Sequence, residues 1–285
     1  MRIAFYGPHC RKINGDVFGS MTYGFTDTDV FSEEVRHYTD LEGDSVYGSY
    51  EECLSLARSS GEKTKAAVIF TNNMGGENAF VEALSGVLAC PVAGGGAAIG
   101  DDPTVGSLPL QDARAGLFCI TDPRVSIKAE YENIHSHIIG EYELGFTDPR
   151  VLDTVNGENA ADFLRTIKTR YGFAENDFEH ITFSTMEGIN AHLNRNDGIN
   201  IRSGRDLQQR MLLRYVDANE VQDRIERFYS ERNTVVFGCA GLRGIMDHSF
   251  RAESFGGFFF GEICFVNNHA DFGNLMLSRL HIERI

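Results

Sequence analysis

The sequence predicts a mixed α/β (α+β) chain, built as two related lobes with mixed sheets flanked by helices. Three observations predict it. First, the apolar run Lys65–Phe70 is followed by the turn Asn72-Asn73-Met74-Gly75-Gly76. Next comes a stretch in which Phe80, Val81, Leu84 and Val87 recur at helical spacing. Second, the later part of the chain repeats this alternation, with helical spacing over Glu158–Arg170 and Asp217–Tyr229 and short apolar runs at His180–Thr185 and Thr234–Cys239. Third, Phe18-Gly19-Ser20-Met21-Thr22-Tyr23-Gly24-Phe25 echoes Phe255-Gly256-Gly257-Phe258-Phe259-Phe260-Gly261-Glu262, as two halves on a related plan would.

The remaining elements follow in order. Arg2–Tyr6 reads as a short buried strand and Val17–Phe25 as a glycine-punctuated one. Tyr50–Ser59 carries Leu54, Leu56 and Ala57 on or near one helical face, and Glu77–Leu88 is the next helix. Ala113–Thr121 and Val125–Glu130 are strands around the turn Thr121-Asp122-Pro123-Arg124, and Ile134–Ile139 and Tyr142–Phe146 continue the β signal. All six prolines lie at or before Pro149, and Thr147-Asp148-Pro149-Arg150 is taken as the boundary, dividing the chain into 1–149 and 150–285. Val151–Gly157 opens the second half as strand and turn. Gly188–Arg214 is polar and holds two strands, and Phe255–Val266 and Asn274–Leu280 are the closing strands.

Composition excludes several classes of function. The formal charge of −15 argues against nucleic-acid backbones and anionic membranes as partners. The six cysteines form no CxxC or CxxCH, which removes zinc ribbons, thioredoxin chemistry and c-type haem attachment. Most sit in apolar stretches and read as buried thiols of a reduced compartment. The start Met-Arg-Ile-Ala-Phe-Tyr-Gly has no signal-peptide core, and the apolar runs are too short to span a bilayer, so a cytoplasmic protein is expected.

Four places bear chemistry. The segment Gly94-Gly95-Gly96-Ala97-Ala98-Ile99-Gly100 matches neither GxGxxG nor a P-loop; it is either a close backbone approach between packed elements or a backbone surface for a ligand. At Cys239-Ala240-Gly241-Leu242-Arg243 a cysteine ends a buried strand before a glycine turn, and Arg243 is placed to fold back, favouring a thiolate or holding a ligand carboxylate. His135 and His137 form HxH but lack a third ligand at any recognisable spacing, so they read as solvated strand histidines. Asn267-Asn268-His269 follows an apolar strand and either lines a pocket mouth or makes a turn. No GxSxG, HExxH or kinase motif is present.

Taken in order, these blocks resemble the FIST family, with its N- and C-terminal domains. Phe18–Phe25 resembles the N-domain G-C-S-T-x-G-E strand without its Cys and Glu. Pro91-Val92-Ala93-Gly94-Gly95 through Asp102 resembles P-V-I-G-G-x-A-G-D, and Val155-Asn156-Gly157-Glu158-Asn159-Ala160 resembles V-D-G-x-P-A. Val236–Arg243 resembles F-S-C-x-G-R with one extra residue before the Arg. Phe258-Phe259-Phe260-Gly261-Glu262-Ile263 resembles the G-x-x-x-x-G-E-I signature, and Asn267-Asn268-His269 the polar cluster near H-N-x-T. The resemblance implies a stand-alone FIST protein with an N-type domain shortened at its start. It also implies an intracellular sensory module that binds a small ligand, an amino acid among the candidates, and is not an enzyme.

The expected ligand-binding residues are Cys239, Arg243, Gly261, Glu262, Asn268, Gly94 and Gly95, with Arg243 on a carboxylate and Glu262 on an amine. No cofactor is expected under this reading. The first alternative is a haem-based nitric-oxide sensor acting on a histidine kinase, with His269 or Cys239 as axial ligand. The second is an enzyme with Cys239 as nucleophile and His248 or His269 as base. The signalling partner is expected to be a histidine kinase or another signalling protein. Arg195, Arg202, Arg205, Arg210 and Arg214 form a basic run that is either a solvated face or a docking surface for an acidic partner.

Overall fold

The computed structural model describes residues 2–5, 17–18, 41–71, 76–96, 114–175, 177, 179–194, 200–231, 234–239, 241–242, 255–259 and 261–285. In the first half the elements are β1 (Arg2–Phe5), β2 (Val17–Phe18), β3 (Leu41–Gly48), α1 (Tyr50–Ser60), β4 (Ala66–Thr71), α2 (Glu77–Ser85), β5 (Val92–Gly96), β6 (Ala115–Ile120), β7 (Val125–Glu132) and β8 (His137–Gly145). Next come β9 (Val151–Leu152), β10 (Thr154–Val155), β11 (Glu158–Asn159), α3 (Ala160–Tyr171), β12 (Ile181–Ser184), β13 (Leu193–Asn194), β14 (Ile201–Ser203) and β15 (Arg210–Tyr215). The last are α4 (Ala218–Tyr229), β16 (Thr234–Cys239), β17 (Phe255–Phe259), β18 (Glu262–Val266), β19 (His269–Gly273) and β20 (Leu277–Arg284). The α+β class with mixed sheets flanked by helices is the one the sequence predicts.

Local chemistry explains the helix starts. Ser49 caps α1: its hydroxyl accepts from the Glu52 amide at 3.2 Å, while the Glu52 carboxylate accepts from the Ser49 amide at 2.7 Å. Asn159 caps α3 through the amides of Ala161 and Asp162. The apolar face of α1 (Cys53, Leu54, Ala57) and that of α2 (Phe80, Val81, Leu84) then cover Ala67 and Ile69 of β4.

β4 is buried along its whole length, and its two faces meet different partners. Opposite the helices, the ring of Phe70 packs 6.0 Å from that of Phe237 on β16. The sheet β17-β16-β20-β7 therefore stacks on the sheet β19-β18-β5-β4-β6-β3-β1-β2. The far face of the four-stranded sheet is covered by α4, where Val221, Ile225 and Phe228 meet Val236 and Leu277. The order of layers is helix, sheet, sheet, helix. A third core lies where Leu164 and Ile167 of α3 cover Phe183, Met211 and Leu213 in the sheet β11-β10-β8-β15-β12.

The two large sheets share a pairing scheme. In β2-β1-β3-β6 the successive pairings are parallel, antiparallel and antiparallel, and in β17-β16-β20-β7 they are the same. The pairings also cross residue 149 repeatedly. β18 pairs β5, β20 pairs β7 along eight residues, and β15 pairs β8.

Four readings of the sequence change. Phe255–Val266 is not one strand: β17 runs parallel to β16, and β18 joins the other sheet beside β5. Gly261, at φ +93, stands immediately before the new strand and makes that change of direction possible. Asn274–Leu280 is likewise not one strand, because residues 274–276 form a turn before β20. Ile134–Ile139 and Tyr142–Phe146 are not separate strands. β8 is continuous from His137 to Gly145 and carries a bulge, since Leu213 pairs Gly140 while Arg214 pairs Ile138. The described residues of Gly188–Arg214 include parts of three strands (β13, β14, β15) where two are expected.

Candidate functional site

β16 ends at Cys239 and β18 begins at Glu262, so two strand ends from different sheets deliver a thiol and a carboxyl to one place. The Cys239 amide donates to the Met276 carbonyl at 3.1 Å, and the Met276 amide donates to Glu262 Oε2 at 3.2 Å. The Cys239 thiol lies within hydrogen-bond reach of the Glu262 carboxyl. The amides of Leu275, Gly241 and Gly261 surround the sulfur. Leu275 holds φ +53, a conformation costing about 1 kcal/mol or more for a residue with a Cβ, and it is fully buried. The turn through Leu275 and Met276 thus spends backbone strain to aim two amides at the sulfur and the carboxyl.

The electrostatics of the site follow from burial. Glu262 is 0% exposed, and burial pushes its carboxyl well above the ordinary carboxylate range. The Met276 amide and the Cys239 thiol pull the other way without overcoming it. Burial therefore favours the protonated, neutral form of Glu262 in the folded protein. Burial, with the neighbouring Glu262 second, pushes the Cys239 thiol far above its ordinary range. A thiol held protonated in this way is a poor nucleophile, and His269 stands elsewhere. Burial and the same two neighbours also raise the Tyr229 phenol at the end of α4.

Glu262 Oε1 is buried and has no hydrogen-bond partner among the described residues. Thr71 Oγ1, at the end of β4, is buried without a partner as well. Thr71 pairs Gly96, whose amide donates to the Gly261 carbonyl at 3.0 Å. A buried oxygen of this kind is satisfied by an ordered water or by a polar group of a ligand.

The structure brings together Cys239, Gly261, Glu262 and Gly95, the last as the register partner of Glu262. Gly94 has a packing reason: at φ +152, a Cβ there would meet the Ile69 carbonyl oxygen at 1.9 Å, so it is a close approach of β4 to β5. Arg243 and His248 lie outside the described residues. Asn268 does not join the site. It stands at φ +64 in the exposed turn between β18 and β19, at the other end of β18 from Glu262, about 13 Å or more along the strand.

His269 shares that distance and is exposed. A haem iron needs an axial ligand in an apolar pocket. His269 is solvent-facing and Cys239 is committed to Glu262 and three amides, so the described residues do not fit that group. Leu275, Met276 and Tyr229 are site residues without a readable signal, since each passes in the sequence for ordinary core.

Two further expectations are corrected. His135 is not a solvated strand histidine. It is fully buried before β8, with Nε2 2.8 Å from the Glu179 carbonyl and Nδ1 3.1 Å from Asn190 Nδ2. Among the described residues no group of His, Cys, Asp and Glu is arranged to hold a metal ion. The arginine run is not one basic face either: Arg205 is buried and paired with Asp271 at 3.0 Å, Arg210 pairs Glu141, and Arg202 stands exposed. Arg195 lies outside the described residues.

No protein-family model matches the chain, and no curated protein matches it. No helix among the described residues is long and apolar enough to cross a membrane.

Proposed function

We propose that the chain is a small-ligand-binding sensory protein whose site is the junction of Cys239 and Glu262. The observation that carries this reading is the fully buried Glu262 with one oxygen left without a partner among the described residues, beside a thiol ringed by amides. An amine or amide of an amino-acid-like ligand would satisfy Oε1. A neutral amine takes up the Glu262 proton, which leaves the carboxylate and the resulting ammonium as an ion pair. Arg243, four residues beyond Cys239 in the sequence, is the sequence-derived candidate for the ligand carboxylate. The output is transfer of the bound state to another signalling protein, of which a histidine kinase is one class.

Thermal shift across free amino acids and amines tests the reading. A ligand at about 100 times its dissociation constant adds about 2.7 kcal/mol. The expected result is stabilisation by at least one amine-bearing ligand in the wild type and loss of that response in Glu262→Gln. A panel that moves neither protein, or moves both equally, rejects it.

A further inference from the structure

A second site lies where β7, β15, β20 and the turn before Ile189 meet. The groove there encloses about 690 Å³, and its wall includes Tyr131, Asn133, Glu187, Gly188, Arg214 and Asn267. Three guanidiniums face it. Two are neutralised: Arg224 Nε lies 2.7 Å from Glu132 Oε1, and Arg279 Nε lies 2.9 Å from Glu130 Oε2. The third, Arg214, has no carboxylate at ion-pair distance among the described residues. Its bonds go to neutral oxygens, Nε to Ser184 Oγ at 2.7 Å and Nη1 to the His135 carbonyl at 3.4 Å.

These bonds fix the plane of Arg214 and leave the Nη2 donors unengaged, on the side where Gly188 presents no side chain. The placement of Arg214 is built into the sheet. The bulge on β8 falls opposite the step from Leu213 to Arg214, and a bulge re-aims the side chains beside it. Burial lowers the pKa of the guanidinium, which stays charged because it starts so high. A half-buried cation without a counter-ion, held rigidly at a groove wall, is a recognition element for an anion.

We infer that this groove binds the carboxylate of a small molecule, with the Nη2 edge of Arg214 as its anchor. The walls select a single negative charge. Arg224 and Arg279 are already matched by Glu132 and Glu130, which leaves Arg214 to balance one negative charge, and the exposed Glu187 at the rim repels a second. The site is separate from Cys239 and Glu262 and stands whether or not they bind a ligand.

NMR titration of the full chain tests it, following the amide of Gly188 with sodium acetate and, separately, inorganic phosphate as probes, against chloride at constant ionic strength. The expected result is a saturable shift with acetate, weakened at least about tenfold in Arg214→Gln and unchanged in a control at the exposed Arg202, Arg202→Gln. Arg214→Lys keeps the charge but loses the planar fork, and it binds with intermediate affinity, which guards against misreading an unfolded Gln variant. The absence of any saturable shift overturns the site, as does an unchanged titration in Arg214→Gln. Tighter binding of phosphate than of acetate overturns the assignment of a carboxylate.

Discussion

At the scale of single residues, Glu262 carries an unusual stability signature. Its folded-state pKa is raised above its ordinary value near 4.5, so the folded state binds the extra proton. That contribution is fully present below about pH 4.5 and is lost as pH rises through the folded pKa. Glu262→Gln keeps the shape and cannot ionise. It is expected to melt higher than the wild type at about pH 8, with the gap closing toward about pH 4.5, in melting curves recorded across pH. Gly94 makes a steric prediction: Gly94→Ala drives a methyl group into the Ile69 carbonyl and costs about 3 kcal/mol or more, read as a lower urea midpoint. The sequence already marked both residues, but for Gly94 only the register of β4 on β5 decides between packing and ligand contact.

At the scale of elements, helices proved more legible than strand partners. Phe80, Val81 and Leu84 are all buried on one face of α2, as their spacing predicts, because that spacing is a local property of the chain. The cap of α3 is local too. Asn159→Ala removes the acceptor for two amides and is expected to cost about 1 kcal/mol in thermal or urea unfolding. The hairpin of β18 and β19 is different. The residues of β18 read as apolar strand and those of β19 do not, and the partner β5 lies more than half the chain away, where no local pattern names it. The same limit hides the break at Gly261, because a run of aromatic and glycine residues is compatible with one strand or with two on different sheets.

At the scale of the whole molecule, the halves divided at residue 149 are tied together by strands. The segment 1–149 contains β5 without β18, and β7 without β20. Expressed alone, it exposes two long strand edges and is expected to aggregate or melt without cooperativity, whereas the full chain melts cooperatively. Calorimetry of both distinguishes the cases, and a soluble, cooperatively melting fragment would show that the halves are autonomous.

Acid stability is also a property of the whole. Burial lowers His135 to about 3 and His192 to about 4, from an ordinary 6.5. The unfolded chain takes up these protons first, so stability declines as pH falls below about 6.5 and levels off only near the folded values. His192→Gln takes no proton, and its melting temperature is expected to fall less steeply than that of the wild type between about pH 6.5 and pH 4.

What the sequence by itself determined was the α+β class, the helices α1, α3 and α4 to within about two residues, the strands β4 and β16, and the strand end at Cys239. These follow from period, capping residues and glycine position, all within a few residues of one another. Only the tertiary structure decided which residues meet. It put Leu275, Met276 and Tyr229 around the thiol and sent Asn268 and His269 to the far end of β18. It also buried Arg205 on Asp271 while leaving Arg214 without a carboxylate among the described residues. The physical reason is that burial and pairing depend on partners tens to hundreds of residues away. The same arginine or histidine in the same local sequence is solvated or desolvated according to what packs across from it.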